Sequence, residues 1–231
     1  MKLGARIITA TYLSRPNRFT IIASYNGSTV KCYFPNPGRM SELLKPNVEI
    51  AINLNEDSSV QRKTLCDVVA VNTDERWVSI DARLPNKLVA EALADNRLEE
   101  FQSISGIKPE TCFGRSRFDF LLKAPSYSCL LEVKSCTLVN DGLAIFPDSP
   151  TARGSKHMRD LRAAKKVGYR ACVIFVIQRE DAVSFTTNKQ SDPEFCSTLE
   201  EARKDGVEIY ARRCRFTDFD LALDANVPVK I

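Results

Sequence analysis

The sequence predicts an α/β (α+β) chain of two domains, a small β-barrel followed by a mixed sheet flanked by helices. Three observations carry that prediction. Short β-rich runs with turn signals and no long helix fill the first third of the chain, a hairpin of alternating apolar and charged residues follows at 114–134, and an unbroken apolar run, Ala171 to Ile177, lies between two helical patterns. With 231 residues, 44% hydrophobic and 27% charged, the chain has ordinary globular composition and length enough to bury one large or two modest cores.

The first domain is expected over 1–82. Strands are predicted at Ala5–Leu13, Arg18–Tyr25, Thr29–Phe34, Val48–Leu54 and Leu65–Asn72, punctuated by Asn26-Gly27 and proline turns, with a last strand or connector at Trp77–Ala82. Five short strands of this spacing suit a barrel of the OB type, whose open face binds single strands by base stacking. Pro35-Asn36-Pro37-Gly38-Arg39-Met40 imposes an irregular loop from which Arg39 reaches for a phosphate, or in which Arg39 is simply solvated. Arg15, Arg18, Lys31, Arg62 and Lys63 are further cations of this half.

The second domain is expected over 83–231. Arg83-Leu84-Pro85-Asn86 ends the Trp77–Ala82 strand or connector, and a helix is predicted from about Lys87 to Phe101, with Glu91 near its apolar stripe as a third metal-site acid or an ordinary flanking residue. A short strand near Thr111 and Cys112, the hairpin, and a loop-like stretch from Cys136 to Arg153 follow. The next helix, Gly154 to Val167, carries Lys156, Arg159, Arg162, Lys165 and Lys166 outward and Leu161 and Ala164 inward. The run from Arg170 to Gln178 reads as a central strand buried on both faces, with Gln178 at its end near a sheet edge. A helix at Asp192–Lys204 and a strand at Val207–Arg212 complete the expected order.

The hairpin holds the chemistry. Alternation sets Phe118, Phe120 and Leu122 on one face and Arg117, Asp119, Leu121 and Lys123 on the other. In the next strand Cys129, Leu131 and Val133 oppose Leu130, Glu132 and Lys134. A loop at Ala124–Tyr127 pairs Lys123 with Ser128, Phe120 with Leu131, Asp119 with Glu132 and Arg117 with Lys134, whereas a one-residue slip mixes the faces. Two carboxylates across a hairpin repel unless a cation lies between them, and close oxygen ligands with room for water suit Mg²⁺. A surface hairpin whose acids pair with Arg117 and Lys134 is the competing reading.

The net charge of +4 alone identifies no partner, but seven Lys or Arg residues against one acid between Arg153 and Arg170 make a basic stripe, which is either a solvated helix face or a phosphate contact. The N-terminus lacks a signal-peptide layout and no apolar run approaches membrane-spanning length, so a cytoplasmic location is expected. Eight cysteines without a CxxC pair, beside a single histidine, speak against zinc and for buried free thiols.

The element order, with an acid on one strand and Glu132-x-Lys134 on the next, resembles the PD-(D/E)XK nuclease core. The chain also resembles the sugar fermentation stimulation protein A family through Arg15-Pro16-Asn17-Arg18-Phe19, the 35–40 loop, Leu84-Pro85-Asn86, Gly114–Asp119, Glu132-Val133-Lys134-Ser135 and Phe146–His157. It departs at Tyr33-Phe34, where a His-Leu pair is common, and at Cys136. The resemblance implies an N-terminal OB-like domain, a nuclease-like second domain, DNA as partner and a part in regulating sugar metabolism.

On this reading Asp119, Glu132 and the Val133 carbonyl hold Mg²⁺ or Mn²⁺, and Lys134 orients the attacking water in a phosphodiesterase reaction. Glu91 and Gln178 support the site, and Arg39, Arg117, Arg153, Lys156, His157 and Arg159 bind nucleic acid. The alternatives are a DNA-binding regulator that keeps the nuclease fold as a scaffold, and an OB-like half that binds RNA or an oligosaccharide.

Overall fold

In the computed structural model, which describes residues 1–54, 64, 66–73 and 76–231, the first half is a closed barrel. Strands β1 (Ile7–Asn17), β2 (Thr20–Tyr25), β3 (Ser28–Tyr33), β4 (Glu49–Leu54) and β5 (Cys66–Thr73) neighbour one another in the order β3-β2-β1-β4-β5, and β3 pairs with β5 to close it. Asn26 and Gly27 take positive φ in the β2–β3 turn, the geometry that a two-residue hairpin needs. Ile21, Ala23, Cys32, Ile50, Ile52 and Val68 fill the barrel. Strand β6 (Arg76–Ser79) adds to β5. The expected strand start at Leu65 and the cations Arg62 and Lys63 lie outside the described residues.

The second half is a mixed sheet in the order β15-β14-β12-β9-β8-β7. Its strands are β7 (Gly106–Phe113), β8 (Ser116–Ala124), β9 (Tyr127–Cys136), β12 (Arg170–Ile177), β14 (Glu208–Thr217) and β15 (Asp220–Asn226). β12 runs parallel to both neighbours and is fully buried from Ala171 to Ile177, so neither of its faces carries a polar residue. Helix α1 (Leu84–Ala94) covers one face, and α2 (Ala152–Lys166) with α3 (Pro193–Lys204) covers the other.

Four expectations are corrected. Leu84-Pro85-Asn86 opens α1 rather than ending a strand, because proline fits the first helical turn. The same helix stops at Ala94, and Leu98 and Phe101 are buried from the chain beyond it. The 136–153 stretch forms β10 (Val139–Asn140) and β11 (Leu143–Phe146), the latter pairing in parallel with β13 (Ser184–Thr187). The last strand continues to Thr217 and turns through Asp218 and Phe219, both at positive φ, into β15.

The helix that reaches the site is set by its caps. Thr151 Oγ1 accepts from Gly154 N at 3.1 Å, and Asp192 joins the two helix starts by accepting from Thr151 N at 2.6 Å and Phe195 N at 2.9 Å. A Cβ on Gly154 would stand 2.8 Å from the Thr151 side chain and 3.1 Å from Phe195, so α2 packs this closely only with glycine there. All eight cysteines are free, and all but Cys112 are buried.

Candidate metal centre and the groups around it

The register between β8 and β9 is the one the alternation demands. Lys123 pairs with Ser128 and Phe120 with Leu131, and the turn tightens to Pro125-Ser126 because Ala124 and Tyr127 are themselves paired. The ladder then gives way at Asp119. Its side chain replaces the next rung, Oδ2 accepting from Val133 N at 2.7 Å, while Oδ1 accepts from Asn86 Nδ2 at 2.6 Å in the first turn of α1.

Alternation along β8 also changes here. Phe120 and Leu122 pack under α1, whereas Phe118, expected beside them, packs under α2 against the His157 ring at 5.6 Å. The sequence pattern shows burial at both positions but not the twist of the strand between them.

Glu132 faces α2 and is almost wholly buried, with its side chain 4% exposed. Oε1 receives Lys134 Nζ and lies against His157 Nδ1, both at 2.5 Å. The other nitrogen of that ring, Nε2, accepts from Arg153 Nε at 3.4 Å, so the Nδ1–H tautomer donates to Glu132. Oε2 of Glu132 is buried without any donor.

The two carboxylates differ in character. Burial and then the charge of Glu132 push Asp119 above its ordinary range, against the pull of its two hydrogen bonds. Burial raises Glu132 as well, but the hydrogen bond from His157 and the charge of Lys134 outweigh it and hold the carboxyl below its usual range. Among the described residues no three His, Cys, Asp or Glu side chains cluster in a metal-binding group. What the site offers is a buried ionised carboxylate with one open oxygen, next in the chain to the peptide N–H that holds a second carboxylate, with an ammonium in contact.

The other expected residues divide sharply. Gln178 is buried at the end of β12, where Oε1 accepts from Ser79 Oγ at 2.9 Å and Nε2 donates to Ser135 Oγ at 3.0 Å and to the Asp81 carbonyl at 3.3 Å. It ties the barrel half to the strand that carries Lys134. Glu91 is a correction: it points to solvent beside Arg97, and the α1 residue at the site is Asn86, five positions earlier. The Leu-Pro-Asn motif was its available signal.

The expected phosphate contacts are also revised. His157 is buried and bound to Glu132 rather than exposed to a backbone. Arg159 is paired with Glu194 of α3, and Lys156 donates to the Arg115 carbonyl and Ser116 Oγ. Arg117 is exposed and pairs with Glu110 on the neighbouring strand β7. The stripe on α2 is thus largely spent on packing α3 and β8, with Arg162 held by Glu201 and Asp205. Arg153 and Arg39 remain exposed.

Arg39 borders a cleft of about 790 Å³ between the halves, walled by Arg15, Arg18 and the 36–40 loop on one side and by Ser135–Leu138 and 145–151 on the other. Arg15 builds the first wall. Its guanidinium lies 4.5 Å over the Phe34 ring and donates to the carbonyls of Arg18, Asn36, Gly38 and Arg39 at 2.7–2.9 Å.

Comparison with known proteins agrees with this architecture. Residues 83–219 match the family model described as the sugar fermentation stimulation protein RE domain, and residues 13–80 match the SfsA N-terminal OB domain. A sugar fermentation stimulation protein homolog of Moorella thermoacetica is 46% identical over 232 residues and spans 100% of both chains. A homolog of Chloroflexus aurantiacus is 42% identical, covering 98% of this chain and 86% of its own. The solved structure of Pyrococcus furiosus SfsA in complex with Ca²⁺ superposes with a TM-score of 0.91 at 26% identity, over 100% of each chain.

Proposed function

The chain belongs to the sugar fermentation stimulation protein family, and from that membership and the groups around Glu132 we propose a DNA-binding protein with a divalent-metal-dependent phosphodiesterase site. One observation carries the metal: Oε2 of Glu132 is buried and has no donor, a costly state for an ionised oxygen unless a cation takes it. The donor set fits a hard cation that keeps several waters. Asp119 and Glu132 would supply carboxylate oxygens and the Val133 carbonyl a third, and Mg²⁺ or Mn²⁺ accepts so few protein ligands. The Pyrococcus relative, solved with Ca²⁺, supports an oxygen-ligand site in the family.

In this role each residue has a task. Asn86 and Val133 N hold Asp119 with an oxygen turned to each, and His157 and Lys134 hold Oε1 of Glu132 so that Oε2 stays open. Lys134, already in contact with that carboxylate, places its charge where a phosphate oxygen and an attacking water need it. The cation's contribution when bound is to acidify a water and offset phosphate charge.

The test is incubation with single-stranded, duplex and branched DNA in Mg²⁺ or Mn²⁺, beside Asp119→Ala and Glu132→Ala. Cleavage by the wild type alone supports the reading; no cleavage, or equal cleavage by the variants, overturns it. A regulator that keeps the fold as a scaffold is the second reading. It is favoured by the protein donors already present on both oxygens of Asp119 and on Oε1 of Glu132, and it predicts DNA binding that survives both substitutions.

A further inference from the structure

The barrel carries an aromatic pair that its own core does not use. Phe19, in the β1–β2 turn, is 47% exposed, and its ring is stacked on Tyr33 at 6.3 Å and 17°. Tyr33 ends β3 on the outer surface, since its neighbour Cys32 points into the barrel, and Lys31 shares that outer face. Arg83 lies over the Tyr33 ring at 5.6 Å and is locked there by two-pronged bonding to Asp81. A single exposed aromatic is unremarkable. A stacked pair braced by a fixed guanidinium is a prepared flat surface.

The pair adjoins the cleft through its neighbours: Arg18, next to Phe19, lines it, and Arg83, which lies over Tyr33, follows the lining residue Ala82. Arg15 donates to the carbonyls of both Arg18 and Arg39, at 2.8 Å each, so one guanidinium sets the residue beside Phe19 and the tip of the 36–40 loop together on the cleft rim. Both side chains are exposed, and neither is in an ion pair found among the described residues. From the 145–151 side the Asp148 carboxylate reaches the 36–40 loop beside Gly38, where its charge also acts on Arg15. Ser135 and Cys136, directly after Lys134 on β9, belong to the facing wall.

We propose that this cleft takes a single-stranded polynucleotide, with a base stacked on Phe19 and Tyr33, backbone phosphates on Arg18 and Arg39, and the strand led along β9 to Glu132 and Lys134. The aromatics ask for an unpaired base, since bases in a duplex are already stacked on one another. The rim cations supply the charge match. This deepens the DNA-binding reading above and rests on it, while standing apart from the metal site.

The full-length protein in EDTA is titrated, by fluorescence anisotropy, into a labelled twelve-nucleotide oligo-dT, the same length of oligo-rU, an abasic strand of equal charge, and a twelve-base-pair duplex. Expected are preference for oligo-dT over duplex and abasic strand, a loss of about tenfold in Phe19→Ala, recovery in Phe19→Tyr, and a salt dependence flatter by about 0.7 in each of Arg18→Ala and Arg39→Ala. Melting curves confirm that the variants are folded. The oligo-rU arm assigns the sugar, and either result with these losses supports the platform. Duplex bound as tightly as single strand, or Phe19→Ala and the abasic strand without effect, overturns it. Failure to bind any nucleic acid overturns the DNA-binding reading with it, whereas loss of cleavage or cation binding alone touches only the metal site.

Discussion

His157 Nδ1 lies 2.5 Å from Oε1 of Glu132, inside a contact that leaves both side chains nearly unexposed. That bond decides which oxygen of the glutamate stays open, and it helps hold the carboxyl ionised. Removing it has a pH signature. A carboxyl whose folded pKa is depressed stabilises the fold above its unfolded value, near 4.3, and that contribution fades as pH falls through the folded value. His157→Ala is therefore expected to cost about 1–3 kcal/mol at pH 7 and less at pH 3, measured by urea unfolding at both.

Asp119 runs the other way. Its folded pKa is raised, so its ionisation opposes folding once pH passes the unfolded value near 3.9, and fully so above the folded one. Asp119→Asn keeps the shape and, with the Asn86 amide turned over, keeps both hydrogen bonds. In EDTA at pH 7 its melting temperature is expected to equal or exceed that of the wild type.

Cation binding should reverse that order. A ligand at about a hundred times its Kd adds about 2.7 kcal/mol to the state that binds it. Added Ca²⁺ or Mn²⁺ is expected to raise the wild-type melting temperature and leave Asp119→Asn and Glu132→Gln unmoved. An equal rise in all three proteins would remove the metal centre.

Asn86 and Glu91 lie on one helix but only Asn86 touches the site. Asn86→Ala is expected to weaken calorimetric Ca²⁺ affinity by about tenfold, within the range for a residue that orients a ligand. Glu91→Ala should leave affinity unchanged and stability within about 0.5 kcal/mol.

Gln178 bridges Ser79, Asp81 and Ser135. Gln178→Met strands buried partners on both halves and is expected to cost about 1–3 kcal/mol. Limited proteolysis should then speed up near Ala82 and Arg83, the proposed boundary between 1–82 and 83–231; an unchanged digestion rate would mean that the halves are joined by other contacts.

Much of the chain was legible because burial is written in short-range pattern. The strands of the barrel, the doubly buried β12, the β8–β9 register and the helices at 152–166 and 193–204 all follow from period, turn residues and caps. What escaped lacked such a pattern: β10 and β11 are short and pair with distant β13, and α1 begins at the proline that read as a terminator.

For the site, the sequence by itself determined that Asp119, Glu132 and Lys134 lie on adjoining strands, because the hairpin is local and its alternation permits one register. Only the tertiary structure decided who stands around them. Asn86 arrives from α1 and His157 from α2, 71 residues apart in the chain (157 − 86) and brought to the same pair of strands by helices packed on opposite faces of one sheet. The same packing spends Arg159 and Arg162 on α3, so the basic stripe of the sequence belongs chiefly to the fold, while of the cations that line the cleft Arg18 and Arg39 are exposed and in no ion pair among the described residues. Charge patterns in a sequence do not say which partner neutralises them, since ion pairs form between elements whose contact is set by apolar packing.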